Sequence, residues 1–246
     1  MESGATRSSR IWRDWTVANS IAFALAFLSF IPGILIADEF MPPGFRAALP
    51  ESIDPNALPT WLDQQTYDSW YLRNLTFHMM ALPLFGLIVG GLQGRVLAPY
   101  LRTLVPWVSV TALAFVSLLF FELVERHVVT GPHAGPIEPI IISLGGSSLA
   151  GILQWYVLRR EGIGATRWLS VWVLGSVLGI ACGAVASIMA MTLTQPLVDL
   201  LFDGTVAEMV AWSRDMLVLG AVFGGVVGAA SGSTLLKAVS PSIDAG

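Results

Sequence analysis

Apolar and polar positions along this chain come in blocks. Six runs carry almost no charge: Thr16–Ile36, Asn74–Gly94, Thr103–Phe121, Pro139–Leu158, Trp168–Val198 and Met216–Leu236. About 20 apolar residues cross the hydrocarbon core of a bilayer as a helix, and a helix satisfies its backbone polar groups within the segment. The runs are too long and too continuous for barrel strands, which take about 10 residues and alternate. The pattern predicts an all-α integral membrane protein with six transmembrane helices. The first run exceeds the usual signal-peptide core and has no small-residue cleavage site after it, so it reads as an uncleaved span.

The runs also repeat. Gly90-x-x-Gln93-x-x-Val96-Leu97 is followed, 14 residues after the glutamine, by Trp107. Gly151-x-x-Gln154-x-x-Val157-Leu158 is followed, again after 14 residues, by Trp168. A weaker copy, Gly228-x-x-Ser231-x-x-Thr234-Leu235, lies near the C-terminus, and Trp15 opens the first run as Trp107 and Trp168 open the third and fifth. The repeating unit is therefore a helical hairpin entered at a tryptophan and left at a glutamine or serine. Hairpin 1 covers 15–97 with an outer loop over 37–73, hairpin 2 covers 103–158, and hairpin 3 covers 168–237. A unit of two spans returns the chain to its starting side, so all three copies point the same way. Parallel repeats are related by an axis along the membrane normal, which predicts a pseudo-threefold bundle in one transmembrane domain, residues 1–246.

Small residues supply the packing faces. Gly86, Gly90 and Gly94 recur every four residues, as do Gly175, Gly179, Gly183 and Ser187, then Gly220, Gly224, Gly228 and Gly232, and more weakly Ser143, Ser147 and Gly151. A spacing of four keeps them on one helix face. Lipid gives no hydrophobic drive between helices, so close backbone approach must hold the bundle. Such stripes could also line a solute path. Trp15, Trp107 and Trp168 fit a cytoplasmic interfacial belt, with Trp61, Tyr67, Trp70 and Tyr71 at the outer face.

Charge fixes an orientation. Given six spans, one side holds Arg7, Arg10, Arg13, Arg95, Arg102, Arg159, Arg160, Arg167 and Lys237, and the other holds Arg46, Arg73, Arg126 and Arg214. The excess places both termini in the cytoplasm and the chain in a cell (inner) membrane. Most acids fall on the other side, which is left acidic. Cationic connections of this kind suit anionic lipid, and nothing points to nucleic acid. Lone Cys182 lies in the fifth run, reads as a small residue in helix packing, and cannot form an internal disulfide.

The string Gln154-Trp155-Tyr156-Val157-Leu158-Arg159, with Trp168 downstream, resembles a motif of uncharacterised bacterial multi-pass membrane families that repeat G-x-x-Q-W-x-x-L-R before a tryptophan-led helix. Gly94 and Ala98 replace the Trp and Arg in the first copy, and Ser231 replaces the Gln in the third. The resemblance covers residues 85–172 well and implies a multi-pass membrane protein. It brings no activity with it.

Two groups of residues are candidate chemistry. Gln93, Gln154 and Ser231 should share one depth, either as a small polar site or gate, or as interhelical hydrogen bonds. His78 is an intramembrane ionisable group and so a functional candidate by default; with Glu122 and Arg73 it could form an outer cluster holding a proton or cation, or simply a structural histidine beside an ion pair. A haem ligand pair is ill served, since His127 and His133 lie in the outer loop. Pro42, Pro43, Pro50, Pro55 and Pro59 exclude a continuous helix in the first outer loop, after which Thr60 could cap a short surface helix over Trp61–Tyr71. No phosphate loop, H-E-x-x-H, metal cluster or nucleophile elbow occurs, so no cofactor is implied. The first expectation is a non-catalytic membrane protein, an accessory subunit or structural or sensing bundle, which meets other membrane subunits through loop 37–73. A transporter or channel for a small neutral or lipid-like solute is the alternative, and an intramembrane enzyme using His78 and Glu122 is the third.

Overall fold

The structure, a computed structural model, describes residues 4–29, 64–119, 137–164 and 166–244. These residues form six α-helices: α1 (Gly4–Leu28), α2 (Gln64–Leu97), α3 (Val105–Val116), α4 (Ile137–Arg160), α5 (Trp168–Leu201) and α6 (Gly204–Asp244). Among the described residues three stretches are long and apolar enough to cross a membrane: His78–Leu97, Trp168–Leu201 and Met209–Val239. Residues 30–63 and 120–136, which include most of the expected outer loop 37–73 and Glu122, lie outside the described residues.

Each helix packs on its neighbours in the chain, and α6 packs back on α1, so the six form a closed ring in sequence order. The glycine stripes set the close approaches. Going up α2, a Cβ placed at Gly86, Gly90 or Gly94 would meet Ala112, then Val108 and Thr111, then Trp107 of α3 and Leu104 just before it. One numbering rises as the other falls, so the helices are antiparallel. Gly175, Gly179 and Gly183 of α5 face Val227, Phe223 and Leu219 of α6 in the same antiparallel sense. The tightest seam is α6 on α1, where Gly220, Gly224 and Gly228 lie against the backbone of Phe23, Asn19 and Thr16. That seam also carries hydrogen bonds: Ser20 Oγ donates to the Ala221 carbonyl (2.7 Å) and Trp12 Nε1 to the Ala229 carbonyl (3.1 Å). In lipid, dispersion across such contacts and bonds of this kind substitute for hydrophobic drive.

Local signals explain the helix ends. Helix α4 stops in a Schellman motif: the Ile163 N–H donates to the Leu158 carbonyl and the Gly162 N–H to the Arg159 carbonyl. Gly162 sits at φ 78°, a left-handed conformation that favours glycine. The buried Ile163 then closes over the buried Leu158. Pro106 opens α3 in its first turn, where the missing N–H costs nothing. Only Phe202 and Asp203 separate α5 from α6, with Gly204 at φ 53° starting the return.

Three expectations change here. The stretch from 199 to 215, expected as an outer connection, is almost all helix: the apolar residues Val206, Met209 and Trp212 continue the pattern of α6, and a two-residue turn is enough. The helix expected to lie on the surface over Trp61–Tyr71 is replaced by one continuous α2 from Gln64 to Leu97, since no helix breaker stands between Gln64 and Asn74. Cys182 is exposed on α5 and not buried between helices.

The α6–α1 seam gives a direct test. Gly224→Ala places a methyl on the Asn19 carbonyl, backbone that cannot swing aside, and should cost about 1–3 kcal/mol by overpacking. Gly91→Ala has no atom within 4 Å of the new Cβ and should be neutral or stabilising by up to about 1 kcal/mol. Unfolding midpoints in one detergent compare the two variants.

Candidate functional site

Residues four apart on the odd helices build the interior in layers. Trp15, Asn19 and Phe23 follow one another on α1, Trp107, Thr111 and Phe115 on α3, and Trp168 and Trp172 on α5. Each step of four residues rises about 6 Å.

The first layer is a triangle of indoles. The ring centroids of Trp15, Trp107 and Trp168 are 6.3, 5.9 and 6.1 Å apart, and all three side chains are at most 1% exposed. Such tilted and edge-to-face pairs suit the ring quadrupole. Leu97, Leu158 and Leu235, which end the three motif copies, are fully buried in the same core. These tryptophans therefore do not form the interfacial belt expected of them. For two of the three the physical reason is a glycine one turn past the motif glycine: a Cβ at Gly94 would meet Trp107 and one at Gly232 would meet Trp15, so the missing side chains make room for these rings between helices, whereas the matching position facing Trp168 is Trp155. Among the exposed apolar residues are Trp12 and Trp212.

The second layer is polar and completely buried. Gln154 Nε2 donates to Gln93 Oε1 (3.2 Å) and to Thr111 Oγ1 (3.0 Å). Gln93 Nε2 donates to Asn19 Oδ1 (2.8 Å), and Asn19 Nδ2 to the Trp15 carbonyl (2.9 Å). Thr111 Oγ1 donates back to the Trp107 carbonyl (2.9 Å). Trp15 Nε1 donates to Ser231 Oγ (2.9 Å), and Ser231 donates to the Val227 carbonyl (2.6 Å). Helices α1, α2, α3 and α4 are thus joined by one chain of side-chain hydrogen bonds, and α6 ties into it through Trp15. Trp107 Nε1, Trp168 Nε1, Trp172 Nε1 and Gln154 Oε1 are buried without a hydrogen-bond partner.

The third layer is aromatic. Phe23 stands against Phe223 (4.7 Å), Phe85 (5.8 Å) and Trp172 (6.4 Å), and Phe85 against Phe115 (4.6 Å).

The structure brings Gln93 and Gln154 into direct contact, while Ser231 meets Trp15 and not the glutamines. Asn19 and Thr111 were missed as polar members although the sequence carried their signal, since each stands four residues after an entry tryptophan. At that step on α5 stands Trp172, and the third copy has a serine in place of glutamine. A large indole and a small hydroxyl at these positions balance the volume that Asn/Gln and Thr/Gln fill elsewhere, as a close-packed interior requires. Of the outer cluster, His78 is half-buried on α2, and Glu122 and the Arg73 side chain fall outside what is described. A second polar group unforeseen in the sequence ties α5 to α6: Arg214 Nη1 donates to Thr194 Oγ1 (2.9 Å) and Gln195 Oε1 (3.2 Å), and its Nε pairs with Asp215 (2.8 Å).

Comparison with protein-family models, curated proteins and solved structures finds no match.

Gln154→Leu should unfold more easily than the parent by roughly 1–3 kcal/mol, because it leaves Gln93 Oε1 without its donor in a buried layer. Gln195→Leu, at the edge of the bundle, should cost less than about 1 kcal/mol. Denaturation of both variants in the same micelle orders them.

Proposed function

We propose that this chain is a non-catalytic integral membrane protein of the cell (inner) membrane, an accessory subunit built as three parallel helical hairpins that cross the bilayer six times. The pairs are α1–α2, α3–α4 and α5–α6. The observation that carries this reading is the filled interior: an indole triangle, a buried polar layer and an aromatic layer occupy the axis in succession. A solute path there would have to displace three interlocked tryptophans.

The threefold relation is supported by contacts in register. A Cβ at motif glycine Gly90 would meet Val108 and Thr111, at Gly151 Leu169 and Trp172, and at Gly228 Thr16 and Asn19. In every case these are the residues one and four places after an entry tryptophan. The near-equal sides of the indole triangle agree with it.

Six crossings are supported by the outside of the bundle, where exposed apolar side chains lead to an exposed cation at the same end of every helix. On α1 the order is Ile21, Val17, Arg13, and on α2 Leu87, Arg95. Helix α3 has Leu113 and Val105 leading to Arg102 just before it, and α4 has Ile152, Tyr156 and Arg159. Leu174 leads to Arg167 on α5, and Leu217 to Lys237 on α6. That is the gradient expected from acyl chains to headgroups on the cytoplasmic leaflet.

The subunit role is supported by length. Helix α5 has 34 residues and reaches about 51 Å, against about 30 Å of hydrocarbon. Its far end keeps Leu193, Leu197, Leu200 and Leu201 exposed, beyond what acyl chains cover. Together with the outer loop 37–73, this hairpin end is where partner subunits dock.

Extraction of native membranes in mild detergent should place the chain in a particle larger than its own micelle, and partners should copurify. A lone monomer from native membranes sinks the subunit role. Vesicles with and without the protein should show equal flux of small neutral solutes; faster flux with the protein restores the transporter reading.

A further inference from the structure

The charged rim at the N-terminal ends of the odd helices carries more than an orientation signal. Its two described acids with described side chains are already taken. Asp14 pairs with Arg13 (3.1 Å). Glu161, with only 11% of its side chain exposed, accepts from the Arg102 backbone N–H (3.2 Å) and lies 3.7 Å from its guanidinium. Glu161 therefore faces inward to Arg102 and leaves its own neighbours unneutralised. Those neighbours are Arg159, Arg160 and Arg167, all exposed, within nine residues of the turn between α4 and α5.

The turn is also shaped for an amphiphile. The Schellman ending at Gly162 holds Arg159 and Arg160 on the last turn of α4. Arg159 lies over the Trp155 ring (5.2 Å to the centroid), which fixes one guanidinium near the surface of the bundle. Below it on the same face stand Tyr156 and Ile152, both exposed. Along this face the order is cation, phenol, aliphatic: the order of a phospholipid from phosphate through glycerol to acyl chain.

We propose that the α4–α5 corner binds anionic phospholipid of the cytoplasmic leaflet, with the headgroup phosphodiester on Arg160 and Arg167 and an acyl chain along Tyr156 and Ile152. The proposal rests on the membrane reading above. It commits to a lipid and not to free phosphate because the cations stand directly above an exposed apolar stripe, and charge complementarity selects the anionic headgroup. Guanidinium meets phosphate through two parallel N–H bonds, and each basic residue near the leaflet surface adds to the attraction.

The full chain, reconstituted in nanodiscs of equal phosphatidylglycerol and phosphatidylcholine and then stripped with mild detergent, is the test. Lipid mass spectrometry should find phosphatidylglycerol enriched among the retained molecules. The Arg160→Gln/Arg167→Gln double variant should lose about five-fold of that enrichment per arginine, the factor that corresponds to about 1 kcal/mol each. Arg160→Lys/Arg167→Lys should keep most of it, and millimolar inorganic phosphate should not displace the lipid. Retained lipid matching the bulk ratio, a glutamine variant equal to the parent, or displacement by phosphate overturns the proposal. Release of the protein from membranes by alkaline carbonate would instead sink the membrane reading itself.

Discussion

Ring closure depends on backbone-to-backbone contact between the first and last helices. Gly224 lies on the Asn19 carbonyl, and Gly220 and Gly228 lie on the backbone one turn either way. This contact draws Trp15 close enough to Ser231 to bond it, and the same indole then completes the triangle with Trp107 and Trp168. If α6 stood off by the width of one side chain, the triangle would open and the polar layer would lose its link to α6. The glycines thus act on the interior at a distance, by setting how far inward α1 can move.

The polar layer adds specificity that dispersion lacks. Stripes of small residues slide past one another with little penalty, since each glycine resembles the next. A glutamine does not slide: a shift of one turn takes Gln93 away from Asn19 and Gln154 away from Thr111, and leaves amides buried in an apolar interior. Interhelical bonds in membranes contribute modestly when made, but a buried polar group left unpaired costs about 1–3 kcal/mol. Register is therefore held mainly by the penalty for error. Under the proposed insertion, the cationic rim sets that register against the bilayer and the long α5–α6 hairpin carries apolar surface beyond it.

Much of this was legible in the sequence, for identifiable reasons. Every-fourth-residue glycine and uncharged runs of about 20 residues translate directly into helices and their seams. The recurrence of Gln93 and Gln154 before Trp107 and Trp168 located the polar positions. The partners of the glutamines were harder, because Asn19 and Thr111 are ordinary polar residues until the helices are packed. The tryptophans misled for a similar reason: an indole beside an arginine suits a headgroup belt or a protein interior, and the helix packed opposite decides, through a facing glycine at Trp15 and Trp107. The extent of α5 and α6 was missed because Asp199, Glu208, Arg214 and Asp215 break the apolar run without breaking the helix.

The central claim is that the hairpins insert in one sense, so that the ends of α2 and α4 share a side of the membrane and the tip of α5–α6 lies opposite. Single cysteines at Ala98, Gly162 and Asp203, each in a Cys182→Ala background, can be labelled with a membrane-impermeant maleimide in sealed vesicles of known orientation. Ala98→Cys and Gly162→Cys should label from the cytoplasmic side and Asp203→Cys from the other. Labelling of Ala98→Cys and Gly162→Cys from opposite sides would contradict the account.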